Sequence, residues 1–564
     1  MEPGRHCKPG DTLIRAARHT ALILAMLSFT GTAVAAMTCR DPLKPPEYPA
    51  DTGLTDVTKQ VDAVRFLNMA TFGASPREVK HLTGMTPRDW ITEQFGLKAS
   101  CHLPTLNQSL DNNSRENRME VWWRHAVTAP DQLRQRVAFA LSQIFVVSDS
   151  NGSIAQNGLA AYYDILLDNA FGNFRDLLED VTLSPVMGRY LSMLGNQKPN
   201  RAEGIRADEN YAREIMQLFT IGLVKLNPNG TPILVDRKTV PTYSQADVEG
   251  LARVFTGWSW GDALYFDDWL GNDWRIPMRA FRDYHDTREK KILDGTIIPA
   301  GGTAYEDLTL ALDTLFNHPN VGPFISRQLI QRLVTSNPSP AYVARVARKF
   351  ADNGNGVRGD MKAVIRAILL DDEALGSIQA NPDFGKLREP VLIMSHLWRA
   401  FKGDTVDDHY YYMRWDNPLG QAPLSAPSVF NFFRPDFSPP GPLKKAGLVG
   451  PEFQLVNDAA TTSLQNELFW RINYYRKDIE WAYRNDILID IAPLKTKAKD
   501  PEKLVNYLNL MLTGNRLPAA FRETLVSYLR TINKNTWDDN DVTTRRAADA
   551  LYLVMSSPYY LIQY

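Results

Sequence analysis

Only three cysteines stand in 564 residues, and the two beyond the first 36, Cys39 and Cys101, are too few for a zinc site built on three or four thiolates or for an iron–sulfur cluster. No Cys-x-x-Cys-His occurs, which excludes covalent haem. Beyond the first 36 residues no segment approaches 18 continuous apolar residues, so no integral membrane span is expected there. Neither sign of charge prevails: 63 Lys and Arg stand against 64 Asp and Glu. A dedicated nucleic-acid binder carries a basic domain, and this chain has none. The Walker loop and H-E-x-x-H are missing, which removes sequence support for P-loop nucleotide enzymes and zincins. With 44% apolar residues, the chain is neither globally disordered nor collagen-like.

What is present begins at the N-terminus. Arg5, Lys8, Arg15 and Arg18 precede a short apolar stretch at 21–29, and Ala33-Val34-Ala35 supplies a small-x-small cleavage pattern. Residues 1–36 therefore read as a secretory signal peptide, with a single membrane anchor as the alternative. No Arg-Arg pair precedes the apolar run, which points to the general secretory route. Removal takes away four cations and two carboxylates (Glu2, Asp11), moving the formal net charge from −1 to −3. It also removes Cys7, leaving Cys39 and Cys101 either to pair as one disulfide in an oxidising compartment or to stay as two thiols. A periplasmic or secreted location is expected.

Residues 37–58 form a Pro-rich, polar lead-in, and 59–564 read as one large α-helical domain. Apolar residues recur at three- and four-residue spacing through most of that stretch. The expected fold is mainly α, a large multi-helix body with long aromatic-rich loops and at most a small β-hairpin. The best strand signal is KILDGTIIP at 291–299, with Asp-Gly between two apolar runs. Two long segments break the helical rhythm. Residues 258–304 carry Trp258, Trp260, Trp269 and Trp274, and residues 404–451 carry Tyr410 to Tyr412, Phe430, Phe432 and Phe433. Such loops bind ligands or pin themselves to the body.

The stretch 208–223 reads as one helix with Asn210, Arg213, Glu214 and Gln217 on a single arc. That polar stripe could bind a polyol and hold Glu214 as an acid or base, or it could be a solvated face with i,i+4 pairs. His285-Asp286 offers a base beside a carboxylate, although neighbours on an extended chain point apart. His409 follows Asp407-Asp408 but has no second histidine at ligand spacing. The segment 352–360 lacks an EF-hand's twelfth-position glutamate, Ala363 standing there, and reads instead as a turn with Asp360 capping the next helix.

The run NYAREIMQLFTIG at 210–222 resembles the hallmark of the bacterial family catalogued as domain of unknown function 1800. RVAFALSQIF at 136–145, DVEGLARVFTGW at 247–258, His285-Asp286, His318-Pro319-Asn320-Val321, KLREP at 386–390 and PSVFNF at 427–432 are similar to it as well. The resemblance covers about 60–560. It implies a large, helical, usually exported protein, often accompanied by an exported sulfatase-like partner protein, with no established reaction to carry over. Its recurrent polar positions fall on Asn210, Arg213, Glu214, His285, Asp286, Arg388 and Glu389.

Three functions are expected in consequence. The first is an enzyme acting on an extracellular or envelope carbohydrate, with Glu214, His285 and Asp286 as catalytic residues. Asn210, Arg213, Gln217, Trp258 and Trp260 would then bind substrate. The second is a non-enzymatic scaffold or partner of another envelope protein. The third is a metal-dependent oxidoreductase using His285 and His409. The residues name no cofactor and supply no complete metal-ligand set.

Overall fold

Many helices begin where a Ser or Thr precedes a proline. Ser75, Thr86 and Ser339 each stand before a proline at the first helical position, and each side-chain oxygen accepts a backbone N–H of the first turn. Proline loses nothing there, because that N–H has no helical partner in any case. Ser244 with Asp247, and Thr303 with Glu306, form reciprocal capping boxes. Asp360 caps the Met361–Leu369 helix through Ala363 N at 3.2 Å, as its turn-and-cap reading expects.

The computed structural model describes residues 57–150, 152–268, 271–376, 383–412, 419–479, 486–533 and 542–564. The expected leader, most of the lead-in, Cys39 and Trp269 lie outside them. The fold is mainly α. One continuous apolar cluster runs from Ala63 to Tyr560, and Trp90, Trp123, Trp258 and Trp398 are fully buried in it. Among the described residues no helix is long and apolar enough to cross a membrane.

Strand content exceeds the expected single hairpin. Four two-residue antiparallel pairs occur among the described residues, one joining Lys386–Leu387 to Ile562–Gln563. The KILDGTIIP hairpin does form: Lys290–Lys291 pairs with Ile297–Ile298. Asp294 and Gly295 turn it at φ 52° and 80°, the left-handed geometry that Asp-Gly tolerates. The other pairs escape a pattern reading because two residues show no periodicity.

The expected helix at 208–223 is corrected. An α-turn, Asn210–Glu214, passes into a π-helix, Ile215–Thr220. Ile221 N bonds Met216 O at 3.0 Å, closing the wider ring. Gly222 ends the element at φ 70°, where a Cβ would meet the Phe324 ring at 2.7 Å. π-turns are rare and concentrate at functional sites. Here the widening changes which side chains share a face, so Gln217 and Leu218 turn toward a cavity that Glu214 does not line.

Candidate functional site

The π-helix faces the Val321–Leu333 helix across a cavity of about 440 Å³. That volume suits a small organic ligand. Its third wall is the hairpin region from Gly222 to Pro232, and its fourth is the aromatic segment 429–436. Asn320 fixes this frame. Its Nδ2 donates to Ile221 O and Val224 O, each at 2.8 Å, while its Oδ1 accepts Leu226 N at 2.9 Å. His318, just before this helix, accepts the Asn320 N–H on Nδ1 at 3.1 Å.

The floor of the cavity is polar and incompletely paired. Gln143, Gln328, Gln331 and Arg332 all line it and are all buried. Among the described residues, Gln143 Oε1, Gln328 Nε2, Gln331 Oε1 and Arg332 Nε have no hydrogen-bond partner. Buried polar atoms are paired in the great majority of cases, so four orphans at one floor single this cavity out as the candidate site. The rim is aromatic: Phe324, Phe430 and Phe433 lie on the lining, with Phe430 45% exposed.

Behind the floor lies a buried ionic network. Gln143 Nε2 and Gln421 Nε2 both donate to Glu389 Oε2. Lys386 Nζ lies 3.6 Å from Glu389 and 2.9 Å from Glu452, and it donates to Arg332 O at 2.7 Å. Arg136 donates to the same carbonyl at 2.6 Å. Burial pushes the Glu452 carboxyl above the usual range against the pull of Lys386. Burial lowers the Arg332 guanidinium to about 10. Sequence reasoning missed Arg136, Gln143, Arg327, Gln328, Gln331, Arg332 and Lys386 as functional candidates. The signal it could have used is the density of Gln and Arg on an otherwise apolar helix.

The expected catalytic residues do not gather on this cavity. Glu214 is buried one turn before Gln217, and its Oε2 has no partner. Burial raises its carboxyl above the ordinary range, with Arg213 opposing. Asn210 is exposed, and its N–H donates to Asp208. Arg213 is held by Glu209 at 3.0 Å and Gln245 at 3.1 Å, much as a solvated helical face would be. Gln217 lines the cavity and accepts the Tyr243 hydroxyl at 3.4 Å.

His285 and Asp286 are each 1% exposed and fully engaged. The His285 ring has Thr256 O at 2.9 Å from Nδ1 and Asp307 at 3.0 Å from Nε2. Asp286 accepts Arg253 and Arg288, which together outweigh its burial and hold its carboxyl far below the usual range. These two residues brace the loop they stand in. Trp258 is fully buried edge-on to Tyr305 at 4.8 Å, so it offers no face to a sugar. Trp260 is half-buried, edge-on to Trp274 at 4.8 Å.

His409 pairs with Glu120 at 3.0 Å on the surface and shares no site with His285. Among the described residues no group of three or more His, Cys, Asp and Glu stands at metal-binding geometry. His285 in particular has both ring nitrogens committed. Cys101 is buried immediately before the His102–Leu106 helix, and its expected partner Cys39 lies outside the described residues.

Residues 65–562 match the model of a family described as protein of unknown function (DUF1800). Neither a curated protein nor a solved structure matches the chain.

Proposed function

The chain belongs to the DUF1800 family, and from that premise we propose that it is an exported protein that binds an extracellular or envelope carbohydrate in the cavity floored by Gln143, Gln328 and Gln331. One observation carries this reading: three buried glutamine amides, each with an unpartnered polar atom, lie under an aromatic rim. An amide offers both a donor and an acceptor, which matches the vicinal hydroxyls of a sugar. Exposed Phe430 supplies a flat apolar face for a ring.

Cleavage is the more demanding form of the same reading. It needs a proton donor and a second carboxylate across the bond. Glu214 has the raised carboxyl of an acid, but it stands behind Gln217 rather than on the lining. Binding without turnover is therefore the stronger form. Titration of the mature protein against a glycan panel is expected to give saturable binding, abolished by Gln328→Leu, with no new reducing ends. Release of reducing ends that disappears in Glu214→Gln would establish the hydrolytic form instead.

A protein partner, such as a sulfatase-like exported protein, is the second reading. The Asp458–Tyr474 helix favours it by presenting Phe469 and Trp470 to solvent, 37% and 48% exposed. Export also predicts a Cys39–Cys101 disulfide. Alkylation of the unfolded, unreduced protein is expected to label neither cysteine, and two labelled thiols would overturn the pairing.

A further inference from the structure

Arg327 lines the cavity half-buried, on the same helix as Arg332. It makes no hydrogen bond and no ion pair with the described residues. Burial lowers its guanidinium against the more distant pull of Asp436. Asp436 also lies on the lining, but its side chain is 75% exposed and stands 3.7 Å from Arg434, which shares its charge at the solvent edge. A desolvated, unpaired guanidinium on a cavity wall is costly unless a ligand answers it.

The ground behind the floor carries the same sign. Arg136, Arg332 and Lys386 are buried against two carboxylates, Glu389 and Glu452. The group therefore holds one cation more than it balances, and the raised Glu452 carboxyl widens rather than narrows that excess. Arg332 spends Nη1 on Gln328 O and Nη2 on Gln143 O, and its buried Nε has no partner among the described residues. Resting on the carbohydrate reading above, we infer that the ligand carries an oxyanion (a carboxylate, sulfate or phosphate group) seated against Arg327, with the excess positive charge of the buried group behind it. The amides and the aromatic rim then take the hydroxyls and the ring of the same molecule. Charge-assisted bonds of this kind are roughly twice as strong as neutral ones, which makes the anion the anchor.

The test uses the full mature chain and matched probes. Oligogalacturonate, oligoalginate and chondroitin sulfate oligomers are titrated beside their methyl-esterified or desulfated counterparts, with octyl sulfate as an anion that is not a sugar. At least one acidic oligomer is expected to bind tenfold or more above its neutral counterpart. Arg327→Gln should weaken the acidic ligand by roughly 10- to 100-fold, the span of one hydrogen bond to a charged group. Arg327→Lys should recover part of that loss, and the urea midpoint of neither variant should fall below the wild-type value because Arg327 has no partner to lose. Equal binding of acidic and neutral oligomers, or an unchanged Arg327→Gln, overturns the oxyanion while leaving the carbohydrate reading intact. Binding of octyl sulfate alone, lost in Arg327→Gln, keeps the oxyanion and removes the carbohydrate. Binding by no probe removes both.

Discussion

Glu389→Ala is expected to lower the unfolding free energy by about 3–5 kcal/mol, the cost of leaving buried charge uncompensated. Glu389 accepts two glutamine side chains and stands 3.6 Å from Lys386 in an environment that is 0% exposed. Without it, Arg136, Arg332 and Lys386 share the interior with Glu452 alone. The freed Gln143 and Gln421 amides each lose an acceptor as well. Glu389→Gln keeps one acceptor oxygen while removing the charge, so it should cost less than the alanine change. Urea titrations followed by tryptophan fluorescence measure both, and an alanine variant within about 1 kcal/mol of wild type, well below the cost of breaking a buried pair, would show that water reaches the network. Ligand binding should fall in the same variants, because Gln143 is shared by the network and the cavity floor.

The second large effect lies at Asp307. Its carboxylate holds Lys290 Nζ at 2.5 Å and His285 Nε2 at 3.0 Å, and all three side chains are at most 3% exposed. Asp307→Ala should again cost about 3–5 kcal/mol, and His285→Ala less, since Lys290 then keeps its partner. The pH dependence has a definite sign. Burial alone would raise the Asp307 carboxyl, but hydrogen bonds from His285 and Lys290 prevail and hold it below its ordinary value. Asp286 is held lower still by Arg288 and Arg253. Both groups thus contribute stability that is fully present above the ordinary carboxylate range and is lost as pH falls through their folded-state values. Wild type should therefore lose stability on acidification more steeply than Asp307→Asn. Parallel slopes would mean that the Asp307 carboxyl titrates alike folded and unfolded.

How much of this was legible follows from how local each signal is. The Ser/Thr-Pro helix starts and the Asp294-Gly295 turn are readable because cap and turn chemistry act within four residues. The π-turn is not. Ile215, Met216 and Phe219 satisfy an α-helical pattern equally well, and the extra residue per ring is settled by Gly222 lying against Phe324. Several of the sequence runs that stood out do meet at one place. Gln143, Gln217 and Val429 come from three of them and line one cavity, with Arg136, Lys386 and Glu389 behind it. Their meeting could not be read, since Gln143 and Glu389 are 246 residues apart. Polarity misled in both directions. Arg332 and Gln331 are passed over in the sequence and are buried beneath the cavity, whereas Trp258 is expected to bind substrate and is core.

The pairing of Lys386–Leu387 with Ile562–Gln563 bears on when the cavity can exist at all. Gln563 Nε2 donates to Leu333 O, 230 residues earlier, and Arg388 N donates to Leu561 O. The strand that carries Lys386 toward the floor is thus tied down by residues synthesised long after it. Contacts of such separation are slow to close. A chain emerging from a ribosome would hold its helices early and this charge cluster last. An interval in which the cluster is open keeps that part of the polypeptide loosely folded until its C-terminal residues have been made.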